Sequence, residues 1–119
     1  MLEMKKSEVH NLIIANSDFK YTVDITNQFK KSFVACVERG LNKQLLINAV
    51  KILAQCGKLP AEYKAHPLKG YKRKNDEVVM ECHIQPDWLL VWIQNDNQLT
   101  LLLTNTGTHS DLFSHKPCV

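Results

Sequence analysis

Three histidines in the C-terminal half of the chain sit in settings suited to acid–base chemistry. They are His66 in His66-Pro67-Leu68, His83 in Glu81-Cys82-His83-Ile84-Gln85-Pro86-Asp87-Trp88, and His109 in Gly107-Thr108-His109-Ser110-Asp111-Leu112-Phe113. Imidazole is the side chain whose ordinary titration range spans neutral pH. One ring can take a proton from a nucleophile while a second gives one to a leaving group, each worth about 10² to 10⁴ in rate when positioned. RNA carries its own nucleophile in the ribose 2′-OH. Its cleavage therefore needs a base, an acid and charge stabilisation, and no metal. Asp87 places a carboxylate beside these histidines.

The residues between the first two histidines are basic. Lys64, Lys69, Lys72, Arg73 and Lys74 are interleaved with Tyr63 and Tyr71. Such a segment is either a solvated loop or a phosphate-contacting one, since Lys and Arg neutralise a nucleic-acid backbone. Trp88 and Phe113 have a similar pair of readings. Aromatic side chains usually fill cores, but they are also the platforms on which unpaired bases stack.

These side chains need a scaffold, and the hydrophobic pattern supplies one. Lys5–Ala15 can form a short helix, and Asn16-Ser17-Asp18 a turn. Phe19–Ile25 alternates apolar and polar residues as a half-buried strand does. Thr26 or Asn27 can cap a helix carrying Phe29, Phe33 and Val37, which Gly40 ends. Asn42 can cap a second, with Leu45, Leu46, Ala49, Ile52 and Leu53 on one face and Gly57 at its end. Beyond Pro60 the period becomes two. Val78–Ile84 sets Val78, Met80, Cys82 and Ile84 against Val79, Glu81 and His83; Leu89–Gln94 is almost continuously apolar; Leu99–Thr104 returns across a turn at Asn95-Asp96-Asn97. Ser110 can cap a last helical turn. The expected class is α+β: an antiparallel β-sheet packed against an N-terminal helical hairpin, in the order β-α-α-β-β-β with a short C-terminal helical turn.

At 119 residues the chain reads as one domain spanning 1–119, with ordinary apolar (45%) and charged (23%) fractions. Its longest apolar runs are too short to cross a bilayer, and its start lacks a signal-peptide core, which implies a cytosolic protein with no membrane partner. A net charge of +3 is compatible with a nucleic-acid partner. The four cysteines, Cys36, Cys56, Cys82 and Cys118, form no C-x-x-C pair and read as reduced structural thiols, with Cys36 and Cys56 on helices. No metal or other cofactor is expected. Adjacent Cys82 and His83 would point to opposite faces of a strand, so a zinc-dependent hydrolase is a weak third reading.

The strings HPLKG, ECHIQPDW followed by LLVW, and LTLLLTNTGTHSDLF resemble the YafQ-type branch of the RelE/ParE toxin superfamily. The resemblance runs from about Lys20 to Phe113 and is most specific from His66 onward, so residues 1–18 look like an N-terminal extension. It implies a RelE-like fold and a toxin of a type II toxin–antitoxin system. It also implies ribosome-dependent cutting of mRNA, with contacts to ribosomal RNA and neutralisation by a cognate antitoxin. Operator DNA would be met only through the antitoxin complex. By this analogy His66, His83, Asp87, His109 and Phe113 form the catalytic site. His109 is the general acid; His66, His83 and Asp87 divide the base and orienting roles among them. Phe113 positions a base, with Trp88 as a weaker partner, and Lys69, Lys72, Arg73 and Lys74 contact RNA.

Two departures stand out. Many relatives carry arginine where this chain has Met80, so by this resemblance a cation near the phosphate is missing unless Arg73 or a lysine substitutes, and the segment from Leu68 to Val79 looks longer than in the family. The reading from a different class is a non-catalytic module that binds antitoxin and operator DNA, or inhibits another target such as gyrase. Such a module would have no use for the His66, His83, Asp87 and His109 set.

Overall fold

The computed structural model describes residues 5–13, 19–68 and 76–113. Its elements are α1 (Lys6–Ile13), β1 (Thr22–Ile25), α2 (Asn27–Glu38), α3 (Lys43–Cys56), β2 (His66–Pro67), β3 (Glu77–Gln85), β4 (Trp88–Asn95), β5 (Thr100–Gly107) and α4 (His109–Phe113). One five-stranded sheet runs in the order β1-β5-β4-β3-β2. The α+β class stands, and α1, α2 and α3 cover one face of the sheet.

Local sequence explains each helix. Thr26 caps α2: its Oγ1 accepts the Phe29 N–H at 3.0 Å and donates to the Leu103 carbonyl at 3.1 Å. One hydroxyl thereby satisfies a free helix donor and ties the helix to β5. Phe29, Phe33 and Cys36 recur along α2 and are fully buried, the two rings stacked at 5.7 Å. α3 begins at Asn42, whose side chain accepts the Gln44 N–H, and ends at Gly57 in the left-handed region. A Cβ at Gly57 would lie 2.5 Å from the Tyr21 hydroxyl, so conformation and space both demand glycine there. The N-terminal segment is more than an appendage. α1 lies against α2 and α3, and its Val9 and Ile13 are buried in the core.

β3 shows the alternation its sequence carries. Cys82 points into the core, while Glu81 and His83 share the other face. β4 is nearly all apolar because both of its sides are covered: Leu89 and Leu90 are equally buried.

Several expectations need correction. The sheet is not wholly antiparallel, because β1 pairs with β5 in parallel, Val23 opposite Leu101. A parallel neighbour requires a long connection, and the chain between β1 and β5, which carries α2, α3 and the strands β2 to β4, supplies it. The two-residue β2, opposite Glu81 and Met80, and the 3-10 turn Ala61–Tyr63 are too short to leave a periodic signal. β5 runs to Gly107 rather than Thr104, with a register irregularity opposite Val91 and Trp92. Cys56 is exposed and so does not pack as a structural thiol, whereas Cys36 is buried. The turn at residues 16–18 and Cys118 lie outside the described residues.

Candidate active site

The end of β3, the turn into β4 and the end of β5 are neighbours in the sheet, so residues far apart in sequence meet at one corner. His83 lies near the end of β3, where the register shifts before Gln85. Its Nδ1 is 3.3 Å from the Pro86 carbonyl, which can only accept, so Nδ1 carries the hydrogen and Nε2 is the acceptor nitrogen. Asp87 follows in the turn. Its Oδ1 accepts the backbone N–H of His109 at 3.0 Å and meets Nδ1 of the same ring at 2.7 Å. These two contacts, the backbone one first, hold the Asp87 carboxyl below its usual range. An ionised Asp87 fixes Nδ1 of His109 as the donor and leaves Nε2 for substrate.

The His83 and His109 rings lie 5.7 Å apart between centroids, tilted by 52°. Phe113 follows one helical turn after His109, with its ring 6.5 Å away and 47% exposed. Two imidazoles and an exposed aromatic thus share one surface. A polar chain can lie across that surface with both rings able to reach one linkage.

His66 sits at the sheet edge, on β2. Its Nδ1 is 3.0 Å from the Lys64 carbonyl and its Nε2 is 3.2 Å from Oε1 of Glu81. Both neighbours accept, so Nδ1–H is used on the carbonyl and one proton lies between Nε2 and the carboxylate. Neither ring nitrogen is an open acceptor. Glu81 is the partner that sequence reasoning passed over. It is buried, and its Oε2 has no hydrogen-bond partner among the described residues. The signal was there: Glu81 lies two residues from His83, so strand alternation places both on one face.

α4 is fixed from below by an unforeseen device. Thr108, rather than Ser110, caps it: Thr108 Oγ1 accepts the Asp111 N–H at 3.1 Å, and Asp111 Oδ2 accepts the Thr108 N–H at 2.9 Å. Arg39, at the end of α2, pairs with the same carboxylate at 2.7 Å. That guanidinium, with the Thr108 N–H, pulls the Asp111 carboxyl down to about 2.

Trp88 does not belong to this surface. It is 1% exposed and donates its indole N–H to Thr106 Oγ1 at 2.9 Å, so it presents no face to a base. Its place at the start of β4, on the helix-covered side, is the physical reason. Lys69, Lys72, Arg73 and Lys74 lie outside the described residues. Cys82 is a buried thiol that desolvation pushes up to about 12, which leaves it inert as a nucleophile. Among the described residues no group of three or more His, Cys, Asp or Glu side chains is placed to hold a metal ion. No helix among them is long and apolar enough to cross a membrane.

Residues 21–114 match the family described as "Bacterial toxin of type II toxin-antitoxin system, YafQ". The chain is 43% identical over 56 residues to the mRNA interferase toxin YafQ of Escherichia coli strain K12. That match covers 46% of this chain and 53% of the relative, so it spans about half the relative's length. Among solved structures, YafQ in the E. coli DinJ–YafQ complex is similar at a TM-score of 0.70 and 28% identity, over 79% of this chain and 99% of that one. A metal-bound toxin from Helicobacter pylori is similar at 0.67 and 37%, over 78% and 99%.

Proposed function

The chain belongs to the YafQ family of bacterial type II toxin–antitoxin toxins, and from that premise we propose that it is an mRNA endoribonuclease acting on the ribosome. The observation that carries the reading is the Asp87–His109–His83 arrangement, with a 2.7 Å contact between the first two and 5.7 Å between the rings. Two imidazoles with opposite proton duties, one backed by a carboxylate, are what 2′-OH attack on a phosphodiester requires.

The roles follow from which nitrogen is free. His83 is the base: its Nε2 takes the proton of the ribose 2′-OH as O2′ bonds to phosphorus. His109 is the acid. Its Nε2 gives a proton to the departing 5′-oxygen as the P–O5′ bond breaks, leaving a cyclic phosphate and a free 5′-hydroxyl. Asp87 orients His109 and offsets the ring's charge while Nε2 holds its proton. His66, occupied at both nitrogens, orients from the edge of the site, with Glu81 behind it. Phe113 offers a face on which a base can stack. Lys69, Lys72, Arg73 and Lys74 carry the contacts to mRNA and ribosomal RNA. No metal or other cofactor enters this chemistry.

The partner that neutralises the toxin is a cognate antitoxin, through which the pair would meet operator DNA. The similar E. coli toxin is found in complex with DinJ, which supports this reading. The site of action is the cytosol.

Expression of the chain without antitoxin should arrest growth and produce cuts in messages that are being translated. His109→Ala should abolish both while keeping the circular dichroism spectrum. Equal growth arrest by both proteins with intact message would instead favour a non-catalytic module.

A further inference from the structure

α4 has five residues, too few for a helix to persist by its own hydrogen bonds. Yet it carries His109 at its start and Phe113 at its end, so something outside must hold it. On one side the hold is Asp87, which takes the backbone N–H and Nδ1 of His109. Asp111 lies two residues further on, about 200° around the helix. On that opposite side its carboxylate meets Arg39 Nη2 at 2.7 Å and Nη1 at 3.4 Å, and also receives the Thr108 N–H.

We propose that Arg39 is a positioning residue for His109, clamping α4 through Asp111 so that the ring stays seated against Asp87. The proposal rests on the catalytic reading of His109 given above.

Three features support it. First, the clamp is two-pronged, and a guanidinium facing a carboxylate with two nitrogens fixes direction as well as distance. Second, it is rigid at both ends. Arg39 is the C-cap of α2, with Nη2 3.6 Å from Sγ of fully buried Cys36. The Asp111 side chain packs on the backbone of Gly107, where an added Cβ would come within 2.8 Å of it. α4 is therefore referenced to the helical layer beneath as well as to the end of β5 that leads into it. Third, the ion pair lies at the surface, with side chains 47% and 36% exposed, beside a groove of about 450 Å³ lined by Lys31, Ser32 and Asn105. Exposed pairs add little to global stability. A large effect of Arg39 on rate would therefore report geometry and not folding.

The test uses the full chain in a translation-coupled cleavage assay, with Arg39→Ala, Arg39→Lys and Asp111→Asn. Asn can still accept the Thr108 N–H, so that variant loses the ion pair but keeps the cap. Arg39→Ala and Asp111→Asn should each lower kcat about ten- to a hundredfold with little change in KM, as a displacement near 1 Å can do. Arg39→Lys should fall between, because an ammonium lacks the second prong. The double variant should be no worse than the poorer single one. In proton NMR, the His109 Nδ1 proton shared with Asp87 should broaden or vanish in Arg39→Ala at temperatures where the protein is fully folded. Wild-type kcat and an intact Nδ1 signal in both single variants, with His109→Ala inactive, would overturn the clamp and leave the nuclease reading standing. If the wild-type protein cuts no message, the nuclease reading fails and the NMR signal alone decides the clamp. Its loss in Arg39→Ala supports positioning, and its persistence overturns it.

Discussion

Asp87 separates orientation from charge more cleanly than any other residue of the site. Asp87→Asn keeps an oxygen for the His109 N–H but removes the negative charge beside the ring, and should cut kcat by about 10² to 10⁴. The same variant has a pH signature. Because the folded carboxyl lies below its ordinary value of 3.8, the stability it adds is fully present above that range. It is lost as pH falls through the lowered value. Thermal denaturation should show wild type above Asp87→Asn at pH 7 and the two converging in strong acid; a gap that persists or widens there would contradict the assignment. At this scale much was legible. His83, Asp87 and His109 stood out by type and by their place beside turns, Phe113 only through the family resemblance, and the fold brings the four together. Glu81 did not, since a lone glutamate on a strand looks like a solvated face until a histidine from another strand covers it. Trp88 shows the reverse error, because an aromatic next to a candidate site carboxylate looks like a stacking platform until its strand turns it inward.

Helices and strands here answer mostly to local rules. The Thr26 cap, the Asn42 cap and the Gly57 stop all lie where their residue types place them. Thr26→Ala should cost about 1 to 2 kcal/mol in denaturant unfolding, toward the upper end because the hydroxyl also anchors β5 through Leu103. Cleavage per folded molecule should not change, since the cap lies outside the site; a lower kcat would tie α2 to catalysis by a second route. The elements that escaped local rules are short or depend on partners. β2 has two residues and exists because β3 offers an edge. α4 is capped at Thr108 because Asp111 folds back onto it, a reciprocal cap that competed with the equally plausible Ser110.

Across the whole molecule the sheet divides labour between its faces. The helix-covered side holds Trp88, Trp92, Leu101 and Leu103, and the other carries Glu81 and His83 toward the site. Trp88→Phe tests this division. The change strips the buried Thr106 hydroxyl of a donor and should destabilise the fold by about 1 to 3 kcal/mol, with KM for message unchanged. A rise in KM at full folding would return Trp88 to the RNA surface. The sequence alone determined the α+β class, the limits of α2 and α3, the face of β3 that bears His83 and the short list of chemical groups, because each follows from periodicity, capping or residue type. Only the tertiary structure decided that β1 runs parallel to β5, that Glu81 occupies His66, that Trp88 is core and that Arg39 reaches α4. Those facts depend on which strands become neighbours, and a linear pattern carries no distances between residues remote along the chain.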